Sequence, residues 1–491
     1  SALRYIMNPL AWLAFTGISA TAAAQTVWNV APNGPVLLET ALANSSSEDI
    51  IVMAPGIYRP PGASVLSTFL IKSKTLTLTG GPATFDGDLL PGAIPRLQTI
   101  HVLTLVNAKV FLSNTTIING RAFGSTFPSG QVDRRRGGGI TCSNSELFMT
   151  NCAIQDCSAE LFGGGVFALN SALNMDHVTM ERNGVAGSPF TTSSVPSGGA
   201  VFLDSSVLRL KFGGFSSNIA GGTVNQTGGI TWNDKTGSLG GAVFCRQSDM
   251  VVYNSLFTEN QAAFRGGALF IESTVVAPNT SEATRFANCR FAFNHAGSAF
   301  TPLPGTLGWP GAGGAAFVAS NLDSSGKVRW DNSTFDGNSS NGDPFNPLNP
   351  LGPIMDSIHA ELTVPGGQQV LSVLTNCWVA CSGSPSIVGP YLSGRNTVRS
   401  SGVPGIATTN GNVDPCTVPP LCNVYAMDRM VDRGSNALLT QDFLDLDGNG
   451  ITAEPVPFPL GPGPVPGNPR VYDPCGFGLP VVDMGCDEIF P

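Results

Sequence analysis

Charge is scarce in this chain. Of 491 residues only 12% are Asp, Glu, Lys or Arg, about half the usual share, so the surface must be covered by Ser, Thr and Asn instead. Basic charge is scarcer still. The 25 Lys and Arg residues against 34 Asp and Glu leave a net charge of −9. That argues against a nucleic-acid partner, because phosphate binding needs a basic surface. Long apolar runs are missing beyond the N-terminus. No later stretch approaches the ~18 apolar residues of a membrane helix, so the mature chain is expected to have no transmembrane span. Histidine is rare and scattered as His101, His177, His295 and His359; each is expected to be a turn or surface residue. No Cys/His set has zinc spacing, and no tight Asp-Asp or Gly-His-Gly element is present.

What is abundant is glycine (59) and proline (37), with plentiful Val, Ile, Leu and Phe. This suits a turn-rich β protein rather than a disordered chain. The glycines are ordered. "GGGI" (Gly137–Ile140) is followed by "GGGVF" (Gly163–Phe167), "GGAVF" (Gly198–Phe202), "GGAVF" (Gly240–Phe244), "GGALF" (Gly266–Phe270) and "GGAAF" (Gly313–Phe317). Each precedes a second element: "NCAIQDC" from Asn151, "HVTMERN" from His177, "FGGFSSN" from Phe212, "NSLFTEN" from Asn254, "NCRFAFN" from Asn288 and "NSTFDGN" from Asn332. "NTTIING" from Asn114 and "NCWVACS" from Asn376 are outlying copies.

The shortest interval, Gly241 to Gly267, is 26 residues. Helical repeats of that length would show a 3.6-residue apolar period and few glycines. Here short β-branched or aromatic runs alternate with Gly, Asn, Ser and Asp, which is strand-and-turn chemistry. The unit therefore fits one coil of an all-β, single-stranded parallel β-helix, a β-solenoid. Stacking the coils predicts an aromatic column of Phe167, Phe202, Phe244, Phe270 and Phe317. It also predicts a ladder of Asn183, Asn218, Asn260, Asn294 and Asn338 at a turn where Asn can take the left-handed conformation. The Gly pair fits a corner at which backbone bends or passes close to its neighbour.

Residues 1–24 read as an export signal: Arg4, an apolar run from Leu10 and a small-residue A-x-A ending at Ala24. A β-helix must cap its open ends. "PVLLETALANSSSEDIIVMAPGIY" (Pro35–Tyr58) offers an amphipathic helix, a strand and a Pro-Gly turn as an N-terminal cap, and Thr75–Asp88 an early coil. The β-helix with this cap is expected over 25–395. The Pro/Gly-rich 396–491 is expected to be the last coils or a C-terminal cap. Eleven cysteines in an exported chain suggest disulfides, with Cys377/Cys381, Cys416/Cys422 and Cys475/Cys486 as close pairs and Cys142/Cys152/Cys157 as a cluster. Cys245 and Cys289 fit simple core packing as well.

The paired GG-[AGL]-[IVL] and F-x-x-N motifs, over about residues 137–340, resemble the repeats of the polymorphic membrane proteins, a family of bacterial surface β-helix passenger domains. That resemblance implies a right-handed parallel β-helix displayed outside the cell, with adhesive or surface-coat roles. An autotransporter barrel needs a long C-terminal series of alternating strands, which the Pro/Gly-rich residues after Ser382 are not expected to form. Near the end, "MVDRGSNALL" (Met430–Leu439), "DLDGNG" (Asp445–Gly450), "GNPRV" (Gly467–Val471) and "VVDMGCDE" (Val481–Glu488) resemble the choice-of-anchor region of secreted bacterial β-helix proteins, which bears on architecture and export only.

Chemistry is thinly signalled. In "DLDGNG" the residues Asp445, Asp447 and Asn449 have the spacing of the first Ca²⁺ ligands in a calcium loop. The acidic residue expected six positions after Gly450 is missing, since Val456 stands there, and a plain Asp/Gly turn competes with the Ca²⁺ site. No other cofactor and no catalytic residue is expected. "DRRRGGG" (Asp133–Gly139) reads as a solvated loop. A glycosidase needs two placed carboxylates, and a lyase needs a Ca²⁺-binding acidic group beside a Lys or Arg base. Asp176, Asp204, Asp249, Glu259, Asp331 and Asp336 fall at differing coil positions. The sequence thus favours a secreted or cell-surface structural or adhesion protein, self-associating or binding a surface glycan. A polysaccharide lyase or glycoside hydrolase acting on an extracellular polysaccharide is the alternative. Three or more carboxylates in a groove on adjacent coils would favour the enzyme; a smooth Ser/Thr/Asn flank would favour the structural role.

Overall fold

A computed structural model describes residues 25–60, 68–88, 101–123, 135–186, 195–224, 230–232, 238–272, 284–297, 311–320, 328–341 and short strands out to residue 393. The export signal (1–24), the C-terminal region with Asp445, Asp447 and Asn449, and the pairs Cys416/Cys422 and Cys475/Cys486 lie outside the described residues, as does Cys381.

The chain winds as a β-helix. Ten strands, beginning with Phe69–Lys72 and ending with Ile387–Val388, pair in parallel in one sheet, sheet B. Each opens a coil, numbered here 1–10 in chain order. Strands of the following segments form the larger sheet A, and short strands such as Arg121–Ala122 and Ser158–Ala159 form sheet C. Successive coils pair in register, so Phe202 meets Phe244 and Phe257 meets Phe291. Parallel crossovers of this kind wind right-handed, and the coil is a right-handed parallel β-helix. Val27–Val30, helix α1 (Leu38–Asn44), Asp49–Met53 and Gly56–Tyr58 precede the first coil, and their strands pair into sheet A. The helix buries Leu38, Ala41 and Leu42, and Lys74 Nζ donates to its C-terminal carbonyl at Leu42, 2.8 Å away, where a cation complements the helix end.

The repeated residues divide between two apolar clusters. The Phe of F-x-x-N points inward: Phe215, Phe257, Phe291 and Phe335 stack at 4.7–4.9 Å within the main core. The Phe column of the glycine motif forms, with centroid separations of 5.6, 4.8, 5.2 and 5.2 Å. It lies outside that core, as a separate buried cluster with Phe162, Leu169 and Leu239 packed against it. The corner glycine makes this cover. Gly240 has φ +65°, and a Cβ there would lie 2.3 Å from the Val243 carbonyl oxygen; the bend folds the preceding residue back over the strand. These preceding residues, Arg136, Phe162, Ser197, Leu239, Arg265 and Ala312, themselves bridge from coil to coil. Arg265 stands 4.6 Å from the Phe317 ring centroid and Arg136 5.1 Å from that of Phe167, a cation–π arrangement. Arg136 is thus held on the column, not in a solvated loop.

The asparagine ladder is continuous. Asn183 Nδ2 donates to Asn218 Oδ1 at 3.1 Å, Asn218 to Asn260, Asn260 to Asn294 and Asn294 to Asn338, each at 2.9 Å. The ladder asparagines are not the left-handed residues, as the sequence suggested. Those are the residues just before them, Arg182, Ser217, Glu259 and Phe293, with φ of 53–56°; they turn the chain so that each following Asn faces inward. A second ladder, of Ser145, Ser171, Ser206 and Ser248, accepts a backbone N–H from the coil before at 2.8–3.1 Å.

Cys142, Cys152 and Cys157 do not form the disulfide cluster. All three are buried thiols, as is Cys245. Cys142 sits on sheet B, and Cys152 and Cys157 occupy different inward positions of their coil. Burial pushes Cys142 and Cys157 up to about 12, since the charged thiolate is disfavoured without solvent. His101 is likewise no surface residue. It is buried, and its Nδ1 lies 2.9 Å from the Gly137 carbonyl oxygen.

Candidate functional site

Sheet A presents its outer face as parallel columns, each with one residue per coil. One column sits at a kink where every residue has φ between 47° and 53°: Asn114, Asn151, His177, Phe212, Asn254, Asn288 and Asn332. Asn tolerates that left-handed conformation at little cost. Coils 4 and 5 break the rule with His177 and Phe212, and here chemistry gathers.

The residue before His177 is Asp176, and strand register places Lys211 of the next coil directly beside it. His177 Nδ1 and Asp176 Oδ1 are 2.6 Å apart, and Lys211 Nζ lies 3.3 Å from Asp176 Oδ2. The imidazole stacks on the Phe212 ring at 4.8 Å. Its side chain is 57% exposed, whereas Asp176 and Lys211 are near 30%. A carboxylate accepting from Nδ1–H orients the ring so that Nε2 is the nitrogen facing away from it. Arg209, two positions before Lys211 on the same face, is exposed and has no ion-pair partner among the described residues. The arrangement therefore supplies a base (His177), its orienting carboxylate (Asp176) and two cations (Lys211, Arg209) on an open flank.

Other carboxylates are occupied differently. Arg182 makes a bidentate pair with Asp156 at 2.8 and 2.9 Å and also binds Glu181. Arg182 is pushed up above its usual value, first by that hydrogen bond to Asp156. Asp156, Asp176 and Glu181 do lie on adjacent coils, but two of the three are bound to one guanidinium. Asp331 is buried, and Arg285 Nε donates to it at 2.7 Å. Among the described residues no three His, Cys, Asp or Glu side chains gather as a metal site, and no helix is long and apolar enough to cross a membrane. The flank is neither the triple-carboxylate groove nor the smooth Ser/Thr/Asn surface that the sequence left as alternatives.

Sequence reasoning named His177 as a turn or surface residue, which it is, and Asp176 only as a scattered acid. The available signal was the departure itself: the one His and the one Phe in a column of asparagines. Lys211 and Arg209 carried no signal until register was known.

No family model and no curated protein matches the chain. Among solved structures it is similar to pectate lyase Pel9A, with 12% identity, 78% of this chain and 82% of that one covered, and a TM-score of 0.31. It is similar to the catalytic domain of a GH87 α-1,3-glucanase in complex with nigerose, at 11% identity, 77% and 64% coverage and a TM-score of 0.31. A PL6 alginate lyase in complex with a trisaccharide shares 11% identity over 76% of this chain and 85% of that one, with a TM-score of 0.26.

Proposed function

We propose that this is an exported β-helix protein acting on an extracellular polysaccharide, and that it cleaves an acidic chain by β-elimination at the Asp176–His177–Lys211 cluster. The observation that carries this reading is the His177–Asp176 hydrogen bond with a cation of the next coil beside it. Elimination from a uronate needs a base for the proton α to the carboxylate and a cation to hold that carboxylate. In this reading His177 replaces the Lys or Arg base, and Arg209 and Lys211 replace the Ca²⁺ site, that the sequence led one to expect of a lyase. His177 Nε2 would take the proton, the C–H electron pair would form the new double bond, and the β glycosidic C–O bond would break. The leaving oxygen takes a proton from solvent. Arg209 suits the carboxylate, because its fork matches two oxygens. Hydrolysis is less well served. It needs two carboxylates facing one glycosidic bond, and Asp156 and Glu181 are held by Arg182.

The test is a screen of polygalacturonate, alginate and neutral glucans, read by the ultraviolet absorbance of the unsaturated product. His177→Asn is the decisive variant, because Asn occupies the same backbone conformation in five other coils. It should keep the unfolding midpoint and lose turnover by about 10²–10⁴-fold. Turnover that survives His177→Asn removes this assignment. Binding without cleavage by the wild type would favour the adhesive reading, in which His177 and Phe212 are a stacked pair on a structural flank.

A further inference from the structure

The same flank carries a second cluster that the proposed cleavage does not use. In coils 2 and 3 the outward residues Phe111 and Phe148 stack at 4.7 Å, in register across the strands. Phe111 is among the exposed large apolar residues. Lys109 Nζ lies 5.6 and 5.2 Å from the two ring centroids and 3.2 Å from Glu146 Oε2. Beside them is a depression of about 440 Å³ lined by hydroxyl, amide and charged groups, among them Ser73, Asn107, Lys109, Asn144 and Glu146. Its size falls at the lower end of small-ligand sites.

We infer that this depression and its phenylalanine pair form a distal saccharide subsite, holding a pyranose of the same polysaccharide whose cleavage is proposed at His177; it rests on that reading for its polymer. The chemistry is that of a sugar ring: hydroxyls for Asn107, Asn144 and Glu146, an apolar C–H face for the phenylalanines, and Lys109 for a uronate carboxylate. Place and orientation agree. Glu146 and Asp176 are one coil and four strand positions apart, in register, which is about 14 Å by strand geometry. An extended oligosaccharide crossing sheet A obliquely would span that distance. The overlying columns show what the fold tolerates. Thr77 and Asn174 stand in register with Phe111 and Phe148, respectively, so neither aromatic is required by the coil.

The experiment is affinity electrophoresis of the full chain in gels containing polygalacturonate or alginate, with Phe111→Thr/Phe148→Asn and, separately, Glu146→Gln. Wild-type retardation should weaken about tenfold in apparent affinity in the double variant, at an unchanged unfolding midpoint. Where turnover is measurable, KM for the polymer should rise several-fold more than KM for a trisaccharide. Unchanged retardation in both variants overturns the subsite, as does a wild type that no polysaccharide retards. Retardation that depends on the phenylalanines, with no turnover on any polymer, sustains the subsite while removing the lyase reading.

Discussion

Replacing Asn218 with Ala should be among the most damaging single changes in the solenoid. Its side chain, fully buried, makes four hydrogen bonds: Oδ1 accepts from the Asn183 backbone N–H at 3.0 Å and from Asn183 Nδ2 at 3.1 Å, while Nδ2 donates to the Met180 carbonyl at 3.0 Å and to Asn260 Oδ1 at 2.9 Å. Asn183 Nδ2 keeps a second acceptor, Ile154 O, and Asn260 Oδ1 keeps the Asn218 backbone N–H. The Asn183 backbone N–H loses its side-chain acceptor and stays buried, which costs about 1–3 kcal/mol, and the remaining bonds add roughly 1 kcal/mol each. The expected loss is therefore about 4–6 kcal/mol. Asn183→Ala should cost less, because its Oδ1 accepts only from the Cys157 N–H and three bonds are lost instead of four. In a stacked array the damage should stay near the affected interface. Amide hydrogen exchange should lose protection at coils 4 and 5 first, with urea midpoints giving the order of the two variants. A cost for Asn218→Ala below about 1 kcal/mol, or a uniform loss of protection along the chain, would refute the reasoning.

Three further outcomes follow from named contacts. A Cβ at Gly241 would lie 2.0 Å from the Gly267 carbonyl oxygen, whereas at Gly214 the nearest atom is 3.9 Å away. Gly241→Ala should therefore cost at least about 3 kcal/mol, and Gly214→Ala should change the melting midpoint little or raise it. Burial lowers the pKa of His295, whose Nδ1 meets Ser339 Oγ at 2.9 Å. The unfolded chain then binds the proton more readily, so stability present above about pH 6.5 is lost as pH falls through the lowered value. His295→Gln, the residue at the equivalent position Gln261, should flatten that part of the pH–melting curve. The buried thiols Cys142 and Cys157, raised to about 12, should resist a thiol reagent at pH 8 in the native protein and react on unfolding; fast native labelling of either would contradict their packing.

The fold was legible because it is written many times over. A Gly pair that must avoid its neighbour's carbonyl, a Phe column and an Asn ladder each recur once per coil, so six imperfect copies identify the coil. Which cluster each Phe joins was not legible: both aromatic columns repeat equally, and in sheet B the flanking residues such as Val243 and Cys245 take the main core and leave Phe244 on the other face. The candidate site was hidden for the opposite reason. Asp176, His177, Arg209 and Lys211 occur once, and Lys211 lies 35 residues from Asp176, brought beside it only by strand register. Cysteine spacing misled for a related reason, since residues close in sequence on one coil face different inward corners.

The row of bridging residues from Arg136 to Ala312 has a consequence for how such a chain can vary. Each coil returns to the same anchored spot before its glycine pair, whatever length precedes it. Two residues separate Ala262 from Arg265, whereas eighteen separate Ala220 from Leu239. Closing the longer segment costs only about 2 kcal/mol more in chain entropy, less than the expected contribution of one ladder asparagine. That edge of the solenoid is thus a row of sockets, where sequence can be inserted, deleted or exchanged coil by coil without altering the register that assembles the opposite flank.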